Sequence, residues 1–82
     1  MTKGLYSIYD KKAGLYSPPQ VHVTKSVMVR NITDLIREGN NQIANHPEDF
    51  TIVQVGLWHE INGSVEEHCE EICECEILVG EK

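Results

Sequence analysis

The apolar residues of this chain change their spacing twice, and that change limits the folds open to it. Near the start, Leu5-Tyr6-Ser7-Ile8-Tyr9-Asp10 is β-favouring and partly alternating. In the middle, Val29, Ile32, Leu35 and Ile36 recur at helical intervals and Met28 widens their stripe. Arg30, Asn31, Thr33, Asp34 and Arg37 fall mostly on the other face. From Val65 to Val79 the odd positions carry Val65, Cys69, Cys73, Cys75, Ile77 and Val79. The even positions carry mainly Glu66, His68, Glu70, Glu74 and Glu76, with Ile72 and Leu78 as exceptions. Side chains return to one face every second residue in a strand and every 3.6 residues in a helix. Strands on both sides of a single helix are therefore expected, an α+β chain.

Local signals set the boundaries. Asp10-Lys11-Lys12-Ala13-Gly14 reads as a turn, since Asp bonds its local backbone and Gly supplies a positive φ. Leu15-Tyr16-Ser17 resumes extended structure, which Pro18-Pro19 ends because neither residue donates to a ladder. Thr24 or Ser26 caps the helix, which runs for roughly three to four turns. Gly39-Asn40-Asn41 stops it, with Gln42-Ile43-Ala44 as an irregular prolongation. His46-Pro47-Glu48-Asp49-Phe50 is a single helical turn with Pro at its first position. Thr51 to Glu60 is a strand with Val53, Val55 and Leu57 on one face, and Ile61-Asn62-Gly63 signals a hairpin. A three-residue loop with Gly63 left-handed pairs Val55 with Cys69 and His59 with Val65. Gly56 marks a bulge that turns Trp58 toward the core. The expected architecture is ββαββ: an N-terminal hairpin, one amphipathic helix, and a C-terminal hairpin with room for an extra strand, on a small antiparallel sheet.

A chain of 82 residues forms one domain, 1–82, and buries only about 60% of its unfolded surface, so a homodimer or higher oligomer is expected. No run of 18 apolar residues reaches across a membrane, and no secretory h-region follows Met1-Thr2-Lys3-Gly4, which points to the cytosol. Cys69, Cys73 and Cys75 are an odd number within seven residues. They suit a reducing compartment and read as reduced packing residues.

Charge divides the chain. Lys3, Lys11, Lys12, Lys25, Arg30 and Arg37 lie in residues 1–41 against Asp10, Asp34 and Glu38, a balance of +3. Residues 42–82 hold ten carboxylates against Lys82, a balance of −9, which completes the net −6. One end suits a polyanion and the other repels it. Tyr6, Tyr9 and Tyr16 lie among Lys3, Lys11 and Lys12, a pattern suited to stacking bases while lysines meet phosphates; Arg30 and Arg37 extend the basic set. Alternation puts Tyr6 and Tyr9 on opposite faces, so one ring faces the core.

Other constellations are weaker. His59, His68, Cys69, Cys73 and Cys75 offer ligands enough for zinc, but no C-x₂-C occurs, and Cys69 and Cys73 in a strand stand about 13 Å apart. No metal and no cofactor are expected. The glutamates read as a solvated strand face that discourages edge-to-edge pairing. His46 beside Glu48 and Asp49 reads as a hydrogen-bonded turn. No nucleophile elbow, P-loop or dinucleotide fingerprint is present, and the chain is not expected to be an enzyme.

Leu5-Tyr6-Ser7-Ile8-Tyr9-Asp10-Lys11-Lys12-Ala13-Gly14-Leu15-Tyr16, His46-Pro47-Glu48-Asp49-Phe50, and Val55-Gly56-x-Trp58 before a turn ending in Gly63 resemble one known family. The chain is similar to the small nonstructural proteins of gokushoviruses, single-stranded DNA phages of the Microviridae, often labelled DNA-binding proteins. The resemblance covers residues 4–63. The acidic, Cys-containing tail, 64–82, departs from the family's usual pattern, as do Leu57 and the pair His59-Glu60. The resemblance implies a role in viral single-stranded DNA replication or genome packaging, in the host bacterial cytoplasm. Weak single-stranded DNA binding through the basic, Tyr-containing hairpin is the leading expectation. The alternative is a non-enzymatic adaptor that engages a viral replication or capsid protein through its acidic half.

Overall fold

The structure is a computed structural model that describes residues 2–79. Met1, Gly80, Glu81 and Lys82, part of the expected domain 1–82, lie outside the described residues. Along the chain run strands β1 (Thr2–Asp10), β2 (Leu15–Tyr16) and β3 (Gln20–His22), then helices α1 (Lys25–Glu38) and α2 (Gln42–Asn45). A 3₁₀ turn (Pro47–Asp49) leads into β4 (Phe50–His59), β5 (Val65–Glu74) and a short helix α3 (Cys75–Val79). The class is α+β, as the changing periods predict.

All strand pairs are antiparallel, in the order β2-β1-β4-β5, with β3 also pairing β1. Pro18-Pro19 interrupts the edge beside β1 rather than ending it. Ser17 carries the ladder to the break: its N–H donates to Ile8 O (2.9 Å) and its hydroxyl accepts the Ile8 N–H (2.9 Å). The Ser7 hydroxyl donates to Ser17 O at 2.7 Å. Beyond the prolines the chain rejoins β1, with Val21 opposite Leu5.

Thr24 caps α1 from an extended backbone, its hydroxyl accepting from the Val27 N–H. Gly39 ends the helix at φ +76°, its N–H returning to Leu35 O. Asn41 then caps the separate α2 by accepting from the Ala44 N–H at 2.8 Å. Met28, Ile32 and Ile36 are the buried ridge of α1, and Leu35 is exposed. They pack on Tyr6, Phe50, Ile52, Cys75 and Leu78, with Ile8, Val29, Ile43, Ile72, Cys73 and Val79 around them. Full burial of each large apolar side chain stabilises by roughly 1.5–3 kcal/mol.

Four expectations are corrected. Val53, Val55 and Leu57 do not share one face: Phe50 and Ile52 have the phase of Tyr6 and Ile8 and face the helix, Val53 pairs Ser7 on the other face, and Leu57 pairs Gly4. Val55 is the extra residue where the β1–β4 register shifts, between Leu5–Gly56 and Tyr6–Gln54. The bulge beside Gly56 is therefore real, but it carries Trp58 away from the core. Without it Trp58 would keep the phase of Ile52; with it, Trp58 pairs Lys3 on the open face. The hairpin loop is also longer than three residues, running from Glu60 to Ser64, with Gly63 at φ +74°. Trp58, not His59, stands opposite Val65, and two further register shifts add residues to β5. Finally, the tail alternation ends at Glu74, where the chain turns into α3 and puts Cys75 and Leu78 in the core.

Gly4 makes room for Tyr6. A Cβ there would collide with the edge of the Tyr6 ring and its hydroxyl. Gly4→Ala is expected to lower stability by roughly 1–3 kcal/mol through this overpacking. Urea denaturation of both chains measures it, and an unchanged midpoint would contradict the packing described.

Candidate nucleic-acid interface

The residues expected to meet DNA are dispersed by the fold. Tyr6 is only 3% exposed and belongs to the core. Its ring centroid lies 6.0 Å from that of His22, and burial, with Glu70 second, pushes its hydroxyl above the ordinary tyrosine pKa. It presents no face for a base. Tyr9 has the opposite phase, as alternation predicts, and lies on the sheet face away from α1. There it pairs with Tyr16, ring centroids 4.6 Å apart and planes tilted by 41°. Tyr16 is 54% exposed.

The turn between β1 and β2 explains the lysines. Asp10 Oδ1 accepts the N–H groups of Lys12 and Ala13 (3.0 and 3.2 Å), which folds the backbone and leaves Lys12 in solvent. Lys11 points back across the end of the sheet. Its Nζ donates to Glu74 Oε1 (2.5 Å) and to Glu48 O (3.2 Å). Lys3 pairs with Glu60 at 3.4 Å. Two of the three lysines of the basic segment are thus held by the acidic half. Arg30 and Arg37 are exposed on α1, in the layer opposite Tyr9 and Tyr16. The fold gathers Tyr9, Tyr16 and Lys12 and leaves the other five elsewhere.

Glu74 is the residue that local sequence signals miss. Its Oε1 accepts from Lys11 and from Thr51 Oγ1 (3.1 Å). The Lys11 hydrogen bond is the chief reason its carboxyl is held below the usual carboxylate range, and the same bond raises the Lys11 ammonium. The partners stand 63 residues apart, so no spacing rule reaches them.

Among the described residues the zinc ligand set is not assembled. His59 Nε2 contacts Glu66 Oε1 and His68 Nε2 contacts Glu70 Oε1, each at 3.1 Å. Cys69 is exposed, against the packing role expected of it, because β5 has a register shift there. Cys73 is half-buried and Cys75 fully so. Burial, followed by the neighbouring Cys73 and Glu74, pushes the Cys75 thiol up to about 12, too high for a reactive thiolate. The donor atoms that converge are those of His46, Glu48 and Asp49, within 4.8 Å of one another. Their three-residue helical turn draws neighbouring side chains closer than expected.

The sequence model of a family described as phage ORF5 protein matches residues 3–77. The chain belongs to the phage ORF5 protein family. No curated protein and no solved structure matches it. In this phage ORF5 family protein the matched span runs through β5 into α3, so it includes residues 64–77 of the acidic tail. No helix among its described residues is long and apolar enough to cross a membrane.

The Lys11–Glu74 contact predicts a pH signature. A carboxylate held low in the folded chain contributes stability that is whole above its ordinary pKa and lost as pH falls through its folded value. The urea midpoint should therefore fall on acidification from about pH 5 to 3. The fall should be shallower in Glu74→Gln. Parallel falls in the two chains would contradict it.

Proposed function

We propose that this protein is a non-enzymatic accessory protein of a gokushovirus. It assists viral single-stranded DNA replication or genome packaging in the host bacterial cytoplasm. It contacts single-stranded DNA weakly through the open sheet face at the β1–β2 turn. The observation behind this reading is the pair of half-buried Tyr9 and exposed Tyr16 at the turn that carries the solvated Lys12. Rings of this kind stack bases for roughly 1–3 kcal/mol each, with little regard for base identity. Affinity is expected to be low because Lys3 and Lys11 are engaged by Glu60 and Glu74, and the whole chain carries −6. Self-association belongs to the same proposal, supported by the small core and by exposed Leu15, Val21 and Val23 along the edge opposite β5.

A second reading, an adaptor for a viral replication or capsid protein, is favoured by the concentration of glutamate on β5. Five of its ten residues are Glu66, Glu67, Glu70, Glu71 and Glu74. Such a surface steers basic protein and repels nucleic acid.

Titration of a labelled oligo-dT at two salt concentrations tests the first reading. Binding should weaken as salt rises. Tyr16→Ala and Lys12→Glu should each weaken it roughly tenfold or more; the thermal melt should stay unchanged in Lys12→Glu, whose side chain is solvated, and fall only by the lost Tyr9 contact in Tyr16→Ala. Wild-type affinity in both variants, or no binding by the parent chain, would contradict DNA contact at this face.

A further inference from the structure

The strand β5 ends the sheet. Among the described residues it pairs only with β4, so its outer row of backbone N–H and C=O groups has no ladder partner there. It is ten residues long and holds no proline. Two register shifts bend it and its glutamates repel an acidic strand, so it accepts an added strand only of complementary charge.

Its two faces differ in chemistry. Register puts Glu67 beside Gly56 and Leu5, and Glu71 beside the buried Val53 and Ser7, all on the face away from α1. Both glutamates are exposed, and no ion pair among the described residues holds either one. On the helix side of the same edge, α1 and α3 leave a groove of about 480 Å³. Val29, Ile72, Cys73, Ile77 and Leu78 form its apolar wall, and Ile77 is exposed at its rim. Lys25, Arg30 and Glu70 also line it, two cations against one carboxylate, so this side favours an uncharged side chain over a basic one.

We propose that β5 is a docking edge for an extended segment of a partner protein in which basic and apolar residues alternate. The segment joins the sheet as a further strand. Its basic side chains face Glu67 and Glu71, and its apolar side chains enter the groove beside Ile72 and Ile77. This rests on the adaptor reading and gives it a surface and a partner chemistry. A second copy of this chain does not meet the requirement, because β5 against β5 sets glutamate against glutamate. DNA is repelled by the same carboxylates.

Amide chemical-shift mapping and hydrogen exchange on the full chain test the proposal. The probe is a peptide of the length of β5 that alternates lysine and valine. It should shift and protect β5 amides, and a central proline should weaken it roughly tenfold by deleting strand hydrogen bonds. A glutamate–valine peptide should not bind. Glu67→Lys combined with Glu71→Lys should weaken binding at least tenfold with the thermal melt preserved, since both positions are solvated. Equal binding by the proline or the glutamate peptide would overturn the proposal. So would β5 shifts with oligo-dT in place of the peptide. Shifts confined to Glu48, Asp49 and Glu60 would overturn the edge site but leave the adaptor reading standing. No shift anywhere would overturn both.

Discussion

One helix has to cover a sheet that is too large for it, and the rest of the molecule follows from that shortfall. Strands of nine and ten residues extend about 30 Å, while a 14-residue helix spans about 21 Å. Met28, Ile32 and Ile36 cover the middle of the sheet and leave its ends open. The chain closes the end where Asp10, Phe50 and Glu74 lie with short pieces: α2 and the 3₁₀ turn, and then α3, which brings Cys75 and Leu78 back into the core. The tail is therefore part of the fold. An extended continuation past Glu74 would have left Ile52 and Met28 without their cover.

That closure also arranges the charges. Once β5 is drawn in by α3, Glu74 lies beside Thr51 and within reach of Lys11 on the opposite hairpin. The sequence separates basic and acidic halves, and the fold reconnects them at Lys11–Glu74 and Lys3–Glu60. What stays uncompensated has sides. Lys12 and the Tyr9–Tyr16 pair lie toward one edge of the sheet, and the glutamates of β5 form the other. A small protein built this way has two surfaces of different chemistry, and the acidic one is the more continuous.

Features encoded by neighbouring residues were legible in the sequence. Thr24 and Gly39 bound α1, Pro47 begins the 3₁₀ turn, and Gly63 closes the hairpin, because capping and positive φ are decided within a few residues. The opposite phases of Tyr6 and Tyr9 were legible for the same reason. Features decided across the chain were not. Strand β3 depends on pairing with β1 beyond two prolines. The face of Trp58 depends on whether Val55 bulges against β1. Cys75-Glu76-Ile77-Leu78-Val79 reads as strand by alternation, yet it is helical because an open core end rewards Cys75 and Leu78 together. Of the candidate interface, the residue types were legible and their availability was not. The partners of Lys3 and Lys11 are 57 and 63 residues away.

The tail seals the core, so Cys75 reaches solvent only when the whole domain opens. Pulsed thiol alkylation across a urea series, mapped by mass spectrometry, measures the opening free energy at each cysteine. Cys69 is exposed and should label at once. Cys75 should show the same opening free energy and urea dependence as global unfolding followed by circular dichroism. Labelling of Cys75 through a low-energy opening that does not depend on urea would show that α3 is an appendage and contradict a core sealed by the tail.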